Sequence, residues 1–248
     1  MSATCAVGDR RRVASGPTLG GGVQMGEHQT FEAARRRRMA PLAVAVSGHP
    51  GVGTQTVAAA LRSRFRLCCT VIGDADPPGG ADLLVRVIGA GARRCDVRAC
   101  RVQAPLIVVA GKADVRDDAR AAAAEAAGVL GRPVVPVSAL WASATVGPSA
   151  LDALRTGEPG DDVLRSYGIR GVAAAQDWLA AEPLLSGAAI ATRLHDASGI
   201  DAVADAVRTV SGEVASLRDR RLCADLRLIA ARGAAREEAE QALVGVHL

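Results

Sequence analysis

Five short segments, residues 42–46, 67–72, 82–88, 105–110 and 133–137, are apolar with little interruption. They do not alternate apolar with polar positions, which is the pattern of strands buried on both faces of a parallel sheet. Residues 57–65 have helical character, and residues 117–130 form an alanine-rich stretch opened by acidic residues, as the positive end of a helix dipole favours. Strand alternating with helix predicts an α/β fold built on a doubly wound, mostly parallel sheet.

The pattern changes near residue 140. Residues 149–191 read as short helices interrupted at Gly157, Pro159, Gly160, Gly168 and Pro183. Ile200, Val203, Val207, Val210, Val214 and Leu217 then recur at steps of three and four, the apolar stripe of one long amphipathic helix that Ser198 is placed to cap. Leu222, Leu226 and Ile229 continue it as a further helix to about Leu243. Residues 1–38 carry neither period and hold arginine runs at 10–12 and 35–38, so they are expected to form a disordered basic tail. The expected organisation is therefore this tail, an α/β core over residues 39–142, and a helical insertion with C-terminal helices over 143–248, packing on the core. Met25 and Met39 are alternative starts to Met1.

Composition narrows the function classes. Of 30 basic residues only Lys112 is lysine, an arginine bias of the kind GC-rich bacterial genomes impose. The net charge of +4 lies wholly within residues 1–40, and the rest of the chain is balanced at 23 basic and 23 acidic residues. A neutral folded part with 2% aromatic residues argues against nucleic-acid binding, which uses basic fields and aromatic platforms. The six cysteines form no CxxC pair and the four histidines are scattered, so no zinc site is expected. Cys68 and Cys69 read as buried thiols. No apolar run reaches the ~18 residues of a membrane span, and the first 40 residues lack an apolar signal core. The expectation is a soluble, cytoplasmic protein with no transmembrane segment.

Candidate chemistry lies at the ends of the predicted strands. Residues 42–61 run from an apolar strand through Gly48, Gly51 and Gly53 into a helix. Glycines let backbone N–H groups turn onto a phosphate, and the helix amino end adds partial positive charge. After the strand 105–110 comes Gly111-Lys112-Ala113-Asp114, and the strand 133–137 ends in Ser138-Ala139-Leu140.

The glycine loop resembles the phosphate-binding loop of P-loop NTPases, GxxxxGK[ST], with Gly48 and Gly53 in place. Thr54 stands where the lysine belongs and Gln55 where the magnesium-binding hydroxyl belongs, with Thr56 one place on. Lys112 and Asp114 resemble the [NT]KxD motif of P-loop GTPases, in which the lysine stem lies along the base and the carboxylate accepts two hydrogen bonds from guanine. Gly111 replaces the family's Asn or Thr. Ser138, Ala139 and Leu140 resemble the GTPase SA[KL] motif, which offers a backbone N–H to the guanine oxygen. Together these motifs resemble a degenerate G domain of the Ras-like or Era-like type. The resemblance covers about residues 40–140, and the helix from Gly199 looks like the last helix of that fold displaced by an insertion. It implies GTP or GDP as ligand and a magnesium ion whose protein ligand is in question.

The switch elements fit poorly. Asp76-Pro77-Pro78-Gly79 matches DxxG formally, but a strand follows almost at once, and a polar turn explains it equally well. Loss of the lysine removes direct charge from the terminal phosphates and argues against efficient hydrolysis. His49 within the loop, and His195 beside Asp196, read as incidental and as surface. The expected function is weak or constitutive guanine-nucleotide binding with little or no hydrolysis. The alternatives are a nucleotide-free scaffold that engages a protein partner through its C-terminal helices and a P-loop kinase.

Overall fold

The computed structural model describes residues 30–73, 80–233 and 235–246. Five parallel strands, β1 (Ala43–Gly48), β2 (Cys68–Val71), β3 (Leu83–Ile88), β4 (Leu106–Ala110) and β5 (Val134–Pro136), form a sheet in the order β2-β1-β3-β4-β5. This is a doubly wound order whose direction of winding reverses between β1 and β3. Four strands lie within the segments expected from the apolar runs, and β1 runs two residues past its segment of 42–46, to Gly48.

Alternate positions in each strand serve opposite faces. Val44, Val46, Val85, Val87, Ile107 and Val109 join one core, which α2 (Thr54–Phe65) closes with Val57, Ala58 and Leu61. Ala45, Leu84, Ile88, Leu106 and Val108 join the other, closed by Cys100 beyond α3 (Arg94–Ala99) and by Ala123 and Ala126 of α4 (Ala119–Leu130). Both faces are covered, so a strand that read apolar throughout needed no polar face. The capping of α4 is explicit in its sequence: Asp118 accepts the Ala121 N–H at 2.8 Å, and Gly131 ends the helix with φ 64°.

Beyond β5 the short helix α5 (Ala139–Ala142) leads into α6 (Pro148–Thr156), α7 (Asp161–Ala181) and α8 (Gly187–Ala197). These helices share their own apolar core around Leu154, Tyr167, Leu179, Ile190 and Leu194. The chain then returns to the sheet: Ile200 and Val203 of α9 (Ile200–Thr209) and Val214 of α10 (Ser211–Arg232) pack into the first core. The far half of α10 meets α11 (Arg236–Val246) and α1 (Phe31–Met39), with Leu226, Ile229, Ala34 and Ala239 between them.

Four expectations need correction. Residues 31–38 are not a disordered arm but most of α1. Thr30 accepts the Ala33 N–H at 3.2 Å, Glu32 sits in the first turn and arginines fill the last, as the helix dipole favours. Ala34 is buried against α10, and Arg37 and Arg38 pair with Asp225 and Asp219, so the arginine run is helix surface held by its neighbour. Residues 1–29 lie outside the described residues. The single helix expected from 200 to 217 breaks at Val210, whose φ of −90° and ψ of 5° leave the helical region for one residue. Periodicity does not register this break, because Val207, Val210 and Val214 still face the same core. Ser198 accepts the Ile200 N–H at 3.2 Å, although Gly199, in the left-handed region, is the capping residue. Cys69 is buried and Cys68 exposed, since adjacent residues of a strand point oppositely. Among the described residues no helix is long and apolar enough to cross a membrane.

Candidate functional site

The loop 49–53 leaves β1 at the point where the sheet's winding reverses, the crevice in which open α/β sheets bind ligands. Gly48 pairs in register with Val87, and a Cβ on it would meet the Val87 carbonyl at 2.5 Å, so the two strand ends approach as only glycine permits. The Val52 N–H donates to the His49 carbonyl at 3.3 Å, and Val52 turns into the first core. Gly51 and Gly53 take φ of 86° and 95°, and Gly53 opens α2. Gln55 is exposed and Thr56 half-buried.

The loop after β4 lies directly beside this one. The Gly111 N–H donates to the Ile88 carbonyl at 3.1 Å, and a Cβ on Gly111 would meet the Val52 carbonyl at 2.6 Å. Gly111 therefore marks a direct backbone approach between the two loops. Lys112 follows in the left-handed region, with φ 58°. The Ala113 N–H then donates to the Val137 carbonyl, which fastens the loop to the strand end that carries Ser138. A 3-10 turn, Ala113–Val115, holds Asp114 at 7% exposure. Arg116 closes the loop by donating from Nη2 to the Gly111 carbonyl at 3.0 Å. Burial lowers the Arg116 guanidinium from its ordinary value, partly opposed by the nearby Asp114 carboxylate.

Ser138 donates its N–H to the Ser198 carbonyl at 2.9 Å, and its hydroxyl accepts the Trp141 N–H at 3.4 Å. Ser138 is thus a structural cap for α5. Ala139 and Leu140 open that helix, where first-turn amides have no intrahelical acceptor.

These loops enclose a cavity of about 220 Å³ lined by Val52, Gly53, Thr56, Val57, Lys112, Asp114, Val115, Ala139 and Leu140. Six of the residues singled out from the sequence meet here: Gly53, Thr56, Lys112, Asp114, Ala139 and Leu140. Gly48, Gly51, Thr54, Gln55 and Ser138 do not line the cavity. The three valines that do were not expected. Their signal was absent, because apolar residues flanking a motif read as core. Asp76 to Gly79, the formal DxxG match, lies outside the described residues.

Residues of the helical insertion also reach this place. A Cβ on Gly168, where α7 bends, would lie 3.4 Å from Asp114 Oδ2. Arg170 bonds the Arg116 carbonyl and pairs with Asp117. The bend was legible as a glycine within a helical stretch; its destination was not.

The side chain at the expected magnesium-ligand position, Gln55, is exposed, and among the described residues no three His, Cys, Asp or Glu gather to hold a metal ion. His49 turns its ring Nδ1 to the Pro50 carbonyl at 3.1 Å. His195 places Nε2 2.9 Å from the Ala144 carbonyl, a contact that ties α8 to the chain after α5.

A second cavity, about 450 Å³, lies at the opposite end of the strands between α1 and α10. Asp82 is part of its lining and accepts from Arg218 at 2.7 Å, Arg221 at 3.2 Å and the Ala43 N–H at 3.0 Å. Arg218 also donates to the Arg38 and Pro41 carbonyls. These bonds join α1 and α10 to the amino ends of the inner strands β1 and β3.

Compared with known protein families and with curated proteins, the chain gave no match.

Proposed function

We propose that this protein is a degenerate P-loop GTPase-like protein that binds a guanine nucleotide weakly, with little or no hydrolysis. The observation that carries the reading is the meeting of the glycine loop with Lys112, Asp114, Ala139 and Leu140 around one cavity, as the three resembling motifs require. Asp114 is mostly buried, lines that cavity and accepts no hydrogen bond from the described residues. A carboxylate in that position suits the paired N–H donors of guanine, which adenine does not offer. The Lys112 stem supplies an apolar edge with a charged end, a role arginine's planar fork would fill differently.

At about 220 Å³ the cavity is below the ~300–1,000 Å³ of small-molecule pockets, so it accommodates the base rather than the whole nucleotide. The phosphates would lie over the glycine loop on backbone donors alone. Thr54 and Gln55 bring no charge there, which limits affinity and removes the group that would stabilise phosphoryl transfer. Thr56, in the first turn of α2, carries the one hydroxyl among the residues that line the cavity.

A nucleotide-free scaffold is the second reading, and the small cavity favours it. Calorimetric titration of GDP, GTP and ATP into the full chain, with and without Mg²⁺, separates the two. Saturable binding of GDP or GTP in preference to ATP supports the guanine site. The absence of binding at millimolar nucleotide sinks it in favour of the scaffold.

A further inference from the structure

Asp114 has little to aim it. It belongs to a three-residue 3-10 turn, a short and soft element, and its carboxylate accepts no hydrogen bond from the described residues. What touches it is the helical insertion. Gly168 interrupts α7 with φ 69° and ψ 166°, and a Cβ placed on it would lie 3.4 Å from Asp114 Oδ2, so the bend faces the carboxylate. The second segment of α7 starts there, so its positive amino end lies at the carboxylate.

This bend is fastened on both sides. Trp141, directly after Leu140, donates from Nε1 to the Tyr167 carbonyl at 2.8 Å. A Cβ on Gly171 would meet that same nitrogen at 2.7 Å, so the indole lies against bare backbone. On the other side Arg170 donates from Nη1 to the Arg116 carbonyl at 2.5 Å and pairs through Nη2 with Asp117. One anchor belongs to the helix that follows the Ser138 turn and the other to the turn that carries Asp114. The insertion therefore bridges the two loops that carry Asp114 and Leu140 to the cavity.

We infer that the α7 bend is the element that positions the Asp114 carboxylate, and that Arg170 is the positioning residue that holds the bend there. Base specificity is then set by a helix more than fifty residues beyond the motif that reads the base. The inference rests on the guanine-site reading of Asp114. Arg170 does not line the cavity, and neither do its hydrogen-bond partners Arg116 and Asp117.

The test compares GDP with IDP, whose hypoxanthine base lacks the exocyclic amine of guanine. A well-aimed carboxylate accepts from both the ring N–H and that amine, so the wild-type full chain is expected to prefer GDP by about tenfold or more, the worth of one hydrogen bond to a charged group. Arg170→Ala and Gly168→Ala are each measured by calorimetry with both nucleotides, alongside a thermal melt. Gly168→Ala strains the bend itself, because φ 69° disfavours any side chain. The expected result is a GDP/IDP ratio falling towards one in both variants while IDP affinity changes little. A merely structural role would lower both affinities together and leave the ratio standing. A folded Arg170→Ala protein with the wild-type ratio overturns the inference alone. Failure of the wild type to bind either nucleotide overturns the guanine reading and the inference with it.

Discussion

The guanidinium of Arg86 and the carboxylate of Asp96 form an ion pair shut off from solvent, with Arg86 at 0% and Asp96 at 2% exposure. Nε and Nη2 of Arg86 both donate to Asp96 Oδ1, at 2.9 and 2.6 Å, while Oδ2 accepts the Arg93 N–H at 2.9 Å. Arg86 occupies the middle of β3 on the face that Leu84 and Ile88 share, so the pair joins the central sheet to α3. Removing Asp96 takes away the carboxylate oxygen that accepts two Arg86 N–H groups and the one that accepts the Arg93 N–H. Asp96→Ala is expected to destabilise the fold by about 2 kcal/mol or more in urea unfolding, and an unchanged urea midpoint would remove the pair from the account of stability.

Restoring the missing phosphate-loop residues tests the reading of the glycine loop. Thr54→Lys with Gln55→Ser adds a charged donor at the amino end of α2 and is expected to tighten GDP binding about tenfold or more. Unchanged affinity by calorimetry would mean that phosphates do not lie over this loop. Gly111→Asn, which restores the third motif residue, is expected to act in the opposite sense. Its Cβ would meet the Val52 carbonyl at 2.6 Å, so it separates the loops and costs about 1–3 kcal/mol of stability.

The chain beginning at Met39 lacks α1 and bares part of Leu226 and Ile229. It is expected to unfold about 2 kcal/mol more easily than the chain beginning at Met25, chiefly through lost apolar burial. The Arg37–Asp225 and Arg38–Asp219 pairs are half-exposed and contribute little of that difference. Equal urea midpoints would show that α1 does not stabilise the fold.

Asp82 predicts acid sensitivity. Burial works to raise its carboxyl, but hydrogen bonds from Arg218 and the Ala43 N–H, with the charges of Arg218 and Arg221, outweigh it and hold the group below the ordinary carboxylate value. A carboxyl depressed in the folded state contributes stability above its unfolded value, about 3.9, and loses it as pH falls through the folded one. Unfolding followed from pH 5 downward should show a loss beginning near pH 4 that is weaker in Asp82→Asn. A variant with the same acid profile as wild type would remove Asp82 from the account.

Thiol labelling should separate the two adjacent cysteines. Burial raises the thiols of Cys69 and Cys100, and neither is open to reagent, whereas Cys68 is exposed. Since the thiolate is the reactive form, mass spectrometry after brief alkylation at pH 8 is expected to find Cys68 modified well before either buried thiol. Early modification of Cys69 would contradict the orientation of β2.

The helices of residues 94–99 and 31–39 show where local reading stops. Residues 94–99 carry no apolar period, and the Arg86–Asp96 pair that ties α3 to the sheet joins residues on different elements. The arginines of α1 look solvated in sequence and are helical because α10 lies beside them. By contrast, the loop 48–53 and the turn after β4 were legible, because strand-end glycines and the lone lysine are local signals.

The sequence by itself determined the five parallel strands, the helix after the glycine loop and the grouping of chemistry at the strands' carboxyl ends. Burial on both faces, capping and left-handed turns are written in neighbouring residues, and periodicity reads them directly. Only the tertiary structure decided that Gly111 packs on Val52, that Ser138 is a cap rather than a cavity wall, that α9 and α10 part at Val210, and that the bend of α7 reaches Asp114. The Gly111 and α7 contacts join segments more than fifty residues apart, where the closeness of two backbones depends on how whole elements pack and leaves no periodic trace in either segment.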